Sequence, residues 1–266
     1  MLLIARVLPG VFIVAALLFA VADVSANQTL KLGDQAQITV PDGFVSLDGP
    51  ETQAMLRRSG EPVSNREVGM LAPMDEKQSW SLFFEFDPIG YVKDDEQDQL
   101  DPDAILASIK QGTEAANKMR VQNNAPEMHI TGWHTKPKYN PSTKNLEWCV
   151  AASVDGQPLL NYNIRMLGRH GVMEVTLVTD PATLDQNLPQ VRSLLNDFSY
   201  LPGNNYAEWR AGDKIAEYGL AALIAGGAAA VALKSGLLQK LLKPLIIGVL
   251  ALGGFLARMF GRRSSE

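Results

Sequence analysis

The chain has 266 residues, 46% hydrophobic and 20% charged, with 22 glycines, 15 prolines and a net charge of −5. That balance is close to the globular average, so wholesale disorder and collagen-like repeats are excluded, and the length fits one or two domains. A single cysteine, Cys149, excludes an intramolecular disulfide and any multi-cysteine zinc or iron–sulfur site.

Residues 1–26 read as a secretory signal. Arg6 supplies the positive start, 11–22 is an uncharged apolar run, and Val24-Ser25-Ala26 places small residues before a cleavage point at Asn27. The alternative is an uncleaved anchor, against which the apolar run falls short of the roughly 20 residues a span needs.

Residues 27–212 hold 16 Lys+Arg and 25 Asp+Glu, a net −9. Such a surface repels phosphate backbones, so no nucleic-acid partner is expected. The pattern predicts a short strand at 37–40 with a Pro41-Asp42-Gly43 turn and a helix over 51–58. Strands follow at 68–72 and 79–86, the second with an unclear inward face because Leu82, Phe83 and Phe84 are consecutive. A longer helix over 102–119 has Asp101 as its N-cap and Pro102 at its first position. Strands at 128–136, 145–154, 159–167 and 171–179 follow, with Asp155-Gly156 turning a hairpin between the middle two. An amphipathic helix over 183–195 and a closing strand at 197–200 complete the series.

The fold class is therefore α+β: an antiparallel sheet covered by helices, followed by a C-terminal transmembrane segment. Residues 27–205 form the extracytoplasmic domain and 206–215 a juxtamembrane stretch carrying Tyr206 and Trp209. Residues 216–233 form an apolar span, in which small residues four apart, Ala222 with Gly226 and Ala225 with Ala229, are candidate helix–helix contacts. Residues 213–266 reverse the charge to a net +4, with Lys234, Lys240 and Lys243 fitting a cytoplasmic side after the span. Residues 234–266 form a basic loop, a second apolar segment at 245–257 that either spans or lies on the surface, and a basic tail.

Several strings agree in order and spacing with a known family: Gly90-Tyr91-Val92-Lys93-Asp94-Asp95, Gly132-Trp133, Leu160-Asn161-Tyr162-Asn163-Ile164-Arg165 with Leu167-Gly168-Arg169, and Asp213-Lys214-Ile215-Ala216 running into Tyr218-Gly219-Leu220. The chain thereby resembles the domain-of-unknown-function 2167 family of bacterial membrane-anchored proteins. The resemblance implies an envelope protein with no assigned activity, and it brings no catalytic residues with it. A weaker similarity of element order is to PsbP/Mog1-like sandwiches.

Candidate chemistry is sparse. There is no Gly-x-Ser-x-Gly elbow, Walker loop, dinucleotide fingerprint or His-Glu-x-x-His string, so no cofactor and no metal are expected. The acidic run Asp94, Asp95, Glu96, Asp98, Asp101, Asp103 lacks calcium-loop spacing and reads as a solvated loop feeding a helix. Cys149 between Trp148 and Val150 reads as a buried, inert thiol. On a strand, Asn161, Asn163 and Arg165 share one face, able to hold a carboxylate or carbonyl, the alternative being structural pairing with the acidic loop or with Glu174. His134, beside Trp133, is the further candidate for contact with a ligand.

These features predict a protein of the bacterial inner membrane with its main domain in the periplasm. Its expected role is as a partner- or ligand-binding accessory, with the bilayer and a membrane protein or a second copy as partners. The alternative is an enzyme using the polar residues of the sheet.

Overall fold

The computed structural model describes residues 28–58, 63–75, 77–78, 80–122 and 126–225. In chain order these form β1 (Gln28–Leu32), β2 (Ala36–Val40), β3 (Phe44–Asp48), α1 (Gly49–Arg58), β4 (Glu67–Pro73), β5 (Trp80–Asp87), α2 (Pro102–Gln122), β6 (Met128–Asn140), β7 (Asn145–Val154), β8 (Gln157–Leu167), β9 (Val172–Thr179), α3 (Leu184–Leu195), β10 (Phe198–Tyr200) and α4 (Leu220–Ala225). The strands make two antiparallel sheets, one ordered β1-β2-β10 and the other β3-β4-β5-β9-β8-β7-β6. The mixed α+β class is as expected from the sequence, with two sheets where one was read.

Local chemistry explains most elements. The β7–β8 hairpin turns on Asp155 and Gly156, both with positive φ (50° and 76°), the geometry of a two-residue hairpin. Asp101 Oδ1 accepts the backbone N–H groups of Asp103 and Ala104 at 3.0 and 3.1 Å, capping α2 as predicted. β6 runs on through Pro137 to Asn140, beyond the expected end at 136. It is an edge strand, so the missing N–H costs no ladder bond.

One core lies between the sheets. Leu82 and Phe84 of β5, Tyr162 and Ile164 of β8 and Val175 of β9 pack against Leu32 and Ile38 of the small sheet and Val191 of α3, all at most 1% exposed. A second core lies on the opposite face, where Ile105 of α2 meets Leu146, Trp148 and Val150 of β7. Leu220, Leu223 and Ile224 of α4 belong to this second core, at 0%, 5% and 4% exposure.

The predicted span meets the structure here. Its helix begins at Leu220, not at residue 216, because Ile215 bridges to Tyr91 and Ala216 N–H donates to the Tyr91 carbonyl at 2.9 Å. Among the described residues no helix is long and apolar enough to cross a membrane. Residues 1–26 and 226–266, which carry the signal reading and most of the membrane reading, lie outside the described residues.

Residues 203–225 are strapped to the domain. Arg169 forks onto Asp213, with Nε 2.7 Å from Oδ2 and Nη2 2.9 Å from Oδ1. Glu96 Oε1 accepts the Ala221 N–H at 2.9 Å near the start of α4. Gly90 (φ 100°) abuts the Lys214 carbonyl, where a Cβ would come within 2.7 Å. Asp94 is the hub: it accepts from the Tyr139 hydroxyl at 2.7 Å and Lys144 Nζ at 2.9 Å. The Tyr206 hydroxyl is shared between Asp94 Oδ1 at 3.0 Å and the Val92 carbonyl at 2.9 Å.

Candidate functional site: a charged trough on the large sheet

The face of the large sheet that carries the second core is flanked by a helix at each end, with α4 packed on it between. α1 packs on β3 and β4, and α2 on β6. Gly69 and Leu71 face the small sheet, so Met70, only 1% exposed, is covered by α1 on the other side. Between the helices the floor belongs to β5, β9 and β8. A bulge at Val68 keeps Glu67 on the same face as its partner in register, Glu85. Register then sets Glu85 opposite Glu174, and Glu174 opposite Arg165.

Four carboxylates, Glu67, Glu85, Asp87 and Glu174, thus share the floor with two guanidiniums. Arg66 reaches Glu85 at 3.5 Å and Asp87 at 3.2 Å. Arg165 reaches Glu174 at 3.4 Å and lies 5.0 Å over the Trp148 ring. The Ser64 hydroxyl sits 2.8 Å from Glu67 Oε1 and 3.4 Å from Glu85 Oε2. Glu67 Oε2 and Arg165 Nε are buried without a hydrogen-bond partner.

Electrostatics follow from this excess of acid. Burial, then the negative charges of Glu174 and Glu67, push the Glu85 carboxyl up to about 7 against the pull of Arg66 and Arg165. Asp87 is raised in the same way by burial and Glu174, with Arg66 opposing. Tyr218, just before α4, is pushed up to about 12 by burial and by the charges of Asp87 and Glu174, which places the trough's acidic end beside the strap. Among the described residues no group of three or more His, Cys, Asp or Glu side chains is arranged to hold a metal ion.

The sequence-predicted residues divide. Asn161, Asn163 and Arg165 line the same face of β8 as expected. Asn163 Nδ2 donates to the Asn161 carbonyl at 3.1 Å, and Arg165 pairs with Glu174, one of the two structural partners expected for it, and not with the acidic loop. His134 does not join them. It is exposed on β6, with β7 intervening, and lies 3.3 Å from the Thr135 hydroxyl. Ala222 and Ala225 are partly buried in α4, whereas Gly226 and Ala229 lie outside the described residues. The sequence reading missed Glu67, Glu85, Asp87 and Arg66. The available signal was the parity of Glu85, Asp87 and Glu174 with Arg165 along paired strands, hidden by the run Leu82-Phe83-Phe84.

Cys149 is 0% exposed in the first core, and burial followed by the Asp185 charge pushes its thiol up to about 12. It is expected to resist an aromatic disulfide reagent at pH 8 in the native protein and to react fully once urea unfolds the chain. A fast native reaction, followed by absorbance, overturns the inert assignment.

Fold and trough together define an α+β domain with a helix-flanked, acid-rich sheet face. The chain belongs to the family described as Protein of unknown function (DUF2167), whose model matches residues 25–256. Solved structures similar to it include the cyanobacterial PsbP of Synechocystis sp. PCC 6803, at 9% identity and a TM-score of 0.38 over 69% of this chain and 99% of that one. The protein of unknown function PA94 from Pseudomonas aeruginosa is similar at 14% identity and a TM-score of 0.27, over 67% of this chain and 99% of that one. No curated protein matches the chain.

Proposed function

We propose that this protein is a binding module of the bacterial envelope, held on the periplasmic side of the inner membrane, with the charged trough as its binding surface. The observation that carries the reading is the strap. Residues 203–225 connect the domain to the apolar C-terminal sequence, and they are built into the fold by Asp94, Glu96 and Arg169. A free tether lets a domain search a volume, whereas a built-in connection presents one face at a set orientation.

Two further points support it. Like charges directly opposite on neighbouring strands destabilise a sheet, so a purely structural row gains nothing from Glu67, Glu85 and Glu174 side by side. Asn161, Asn163 and Arg165 are engaged locally and His134 stands apart, which favours binding over the catalytic alternative.

Because α4 turns Leu220, Leu223 and Ile224 toward the domain, lipid exposure begins beyond residue 225 in this reading. Residues 226–233 number only eight, well short of the roughly 20 apolar residues a span needs. Attachment therefore draws on residues 245–257 as well as on the first apolar run.

The test is fractionation of cells expressing the full chain. The protein is expected to stay with inner membranes through alkaline carbonate extraction, and its domain to be cleaved by protease added to spheroplasts. Recovery in a soluble fraction, or protection of the domain in intact spheroplasts, overturns the proposal.

A further inference from the structure

The strap carries an apolar surface that the second core does not use. Trp209 is 42% exposed and Ile215 38%, among the few large apolar side chains left open in the described residues. They belong to one patch. Tyr91 stacks on Tyr206 with ring centroids 4.4 Å apart and lies 5.6 Å from the Trp209 ring, while its backbone bridges to Ile215.

The charge around the patch differs from that of the rest of the domain. Lys93, Arg210 and Lys214 are exposed beside it. Its acids are largely occupied: Asp94 by Tyr139 and Lys144, Glu208 by the N–H groups of Gly203 and Asn205, and Asp213 by Arg169. Asp95 and Glu217 remain exposed, so among the exposed charges here cations outnumber acids three to two, on a domain whose residues 27–212 carry −9. An apolar centre with a tryptophan and a cationic rim is the chemistry of the lipid headgroup layer. The chain beyond the patch is rich in Leu, Ala and Gly, with basic residues at Lys234, Lys240, Lys243, Arg258, Arg262 and Arg263.

Resting on the membrane attachment proposed above, we infer that Trp209, Tyr91 and Ile215 seat the domain on an anionic bilayer surface, with Lys93, Arg210 and Lys214 against the headgroups. Seating holds the strap parallel to the membrane and fixes the direction in which the trough opens.

Trp209 reports on this directly. Trp80 and Trp148 are buried and Trp133 is partly buried, so the emission difference between the full chain and its Trp209→Phe variant isolates the exposed ring. Both proteins are reconstituted in phosphatidylcholine vesicles with and without phosphatidylglycerol, and then with brominated acyl chains. The difference emission is expected to shift to shorter wavelength, to lose most of its intensity to brominated lipid, and to become inaccessible to iodide. Lys214→Glu is expected to reduce the quenching on vesicles containing phosphatidylglycerol and to leave it unchanged on phosphatidylcholine alone. If the chain floats with vesicles while Trp209 stays unquenched and open to iodide, the seating is wrong and attachment stands. If the chain does not float with vesicles at all, attachment and seating fall together.

Discussion

Asp94→Ala is expected to lower unfolding stability at pH 7 by roughly 2–4 kcal/mol and to release residues 203–225 from the domain. The Asp94 carboxylate, 22% exposed, is the common acceptor for Tyr139, Lys144 and Tyr206. Its removal leaves a part-buried phenol without its acceptor and Lys144 without its counter-ion, while Tyr206 retains the Val92 carbonyl. The loss therefore falls hardest on the junction where the acidic loop, the end of β6 and the strap meet. Chemical unfolding measures the total, and amide exchange should rise in 203–225 well before it rises in β8 or β9. Burial pushes Asp94 up, but hydrogen bonds from Lys144, Tyr139 and Tyr206 outweigh it and hold the carboxyl below its ordinary 3.8. A carboxyl depressed in the fold contributes its full stability above the unfolded pKa and loses it as the pH drops through the folded one. Asp213, brought down to about 2 chiefly by Arg169, behaves the same way. The strap should thus loosen as the pH falls from about 4 toward 2, and Asp94→Asn should flatten that part of the profile. A change below half a kcal/mol in Asp94→Ala, with exchange of 203–225 unaltered, sinks the hub assignment.

The contrast between this hub and the hairpin at Asp155-Gly156 shows what the sequence makes visible. The hairpin is encoded by two adjacent residues with a conformational preference of their own, as is the Asp101 cap of α2. Asp94 and Tyr206 are 112 residues apart and meet only because the strap crosses the end of the sheet. No local pattern announces that. The trough was half legible. Strand parity put Asn161, Asn163 and Arg165 on one face, but Leu82-Phe83-Phe84 masked the parity of β5, which hid Glu85 and Asp87. β4 was harder still, since its bulge shifts Glu67 relative to Leu71. The small sheet was obscure for another reason. β2 pairs with β1 and with β10, 160 residues beyond it at the Ile38–Phe198 level, where Pro41-Asp42-Gly43 and the strand at 37–40 were the only local signs. For α4, an apolar face looks the same in sequence whether it meets lipid or protein. The structure turns Leu220, Leu223 and Ile224 to Leu146, Trp148 and Val172.

Glu85→Gln is expected to stabilise the protein, by about 2–3 kcal/mol at pH 8 and by little or nothing near pH 4.5. The wild-type carboxyl has Glu67 and Glu174 on its two flanking strands, Asp87 two residues along its own, and only Arg66 and the more distant Arg165 in opposition. Its side chain is 24% exposed, so water screens these charges incompletely. The sign follows from proton uptake. With the folded pKa raised to about 7 from an ordinary 4.5, the folded state keeps a proton that the unfolded chain has already released. Stability therefore falls as the pH climbs from about 4.5 to 7 and levels off above it, the opposite of the strap carboxylates. Glutamine preserves the volume and the polar edge while removing the charge, and Arg66 keeps Asp87 as its partner at 3.2 Å. Urea unfolding of both proteins across pH 4.5 to 8 reads the difference directly. A gain that grows with pH and saturates above neutrality identifies Glu85 as the strained charge of the trough. A gain that is the same at every pH assigns the effect to packing, and a loss at pH 8 means that the Arg66 pair outweighs the crowding of its neighbouring carboxylates.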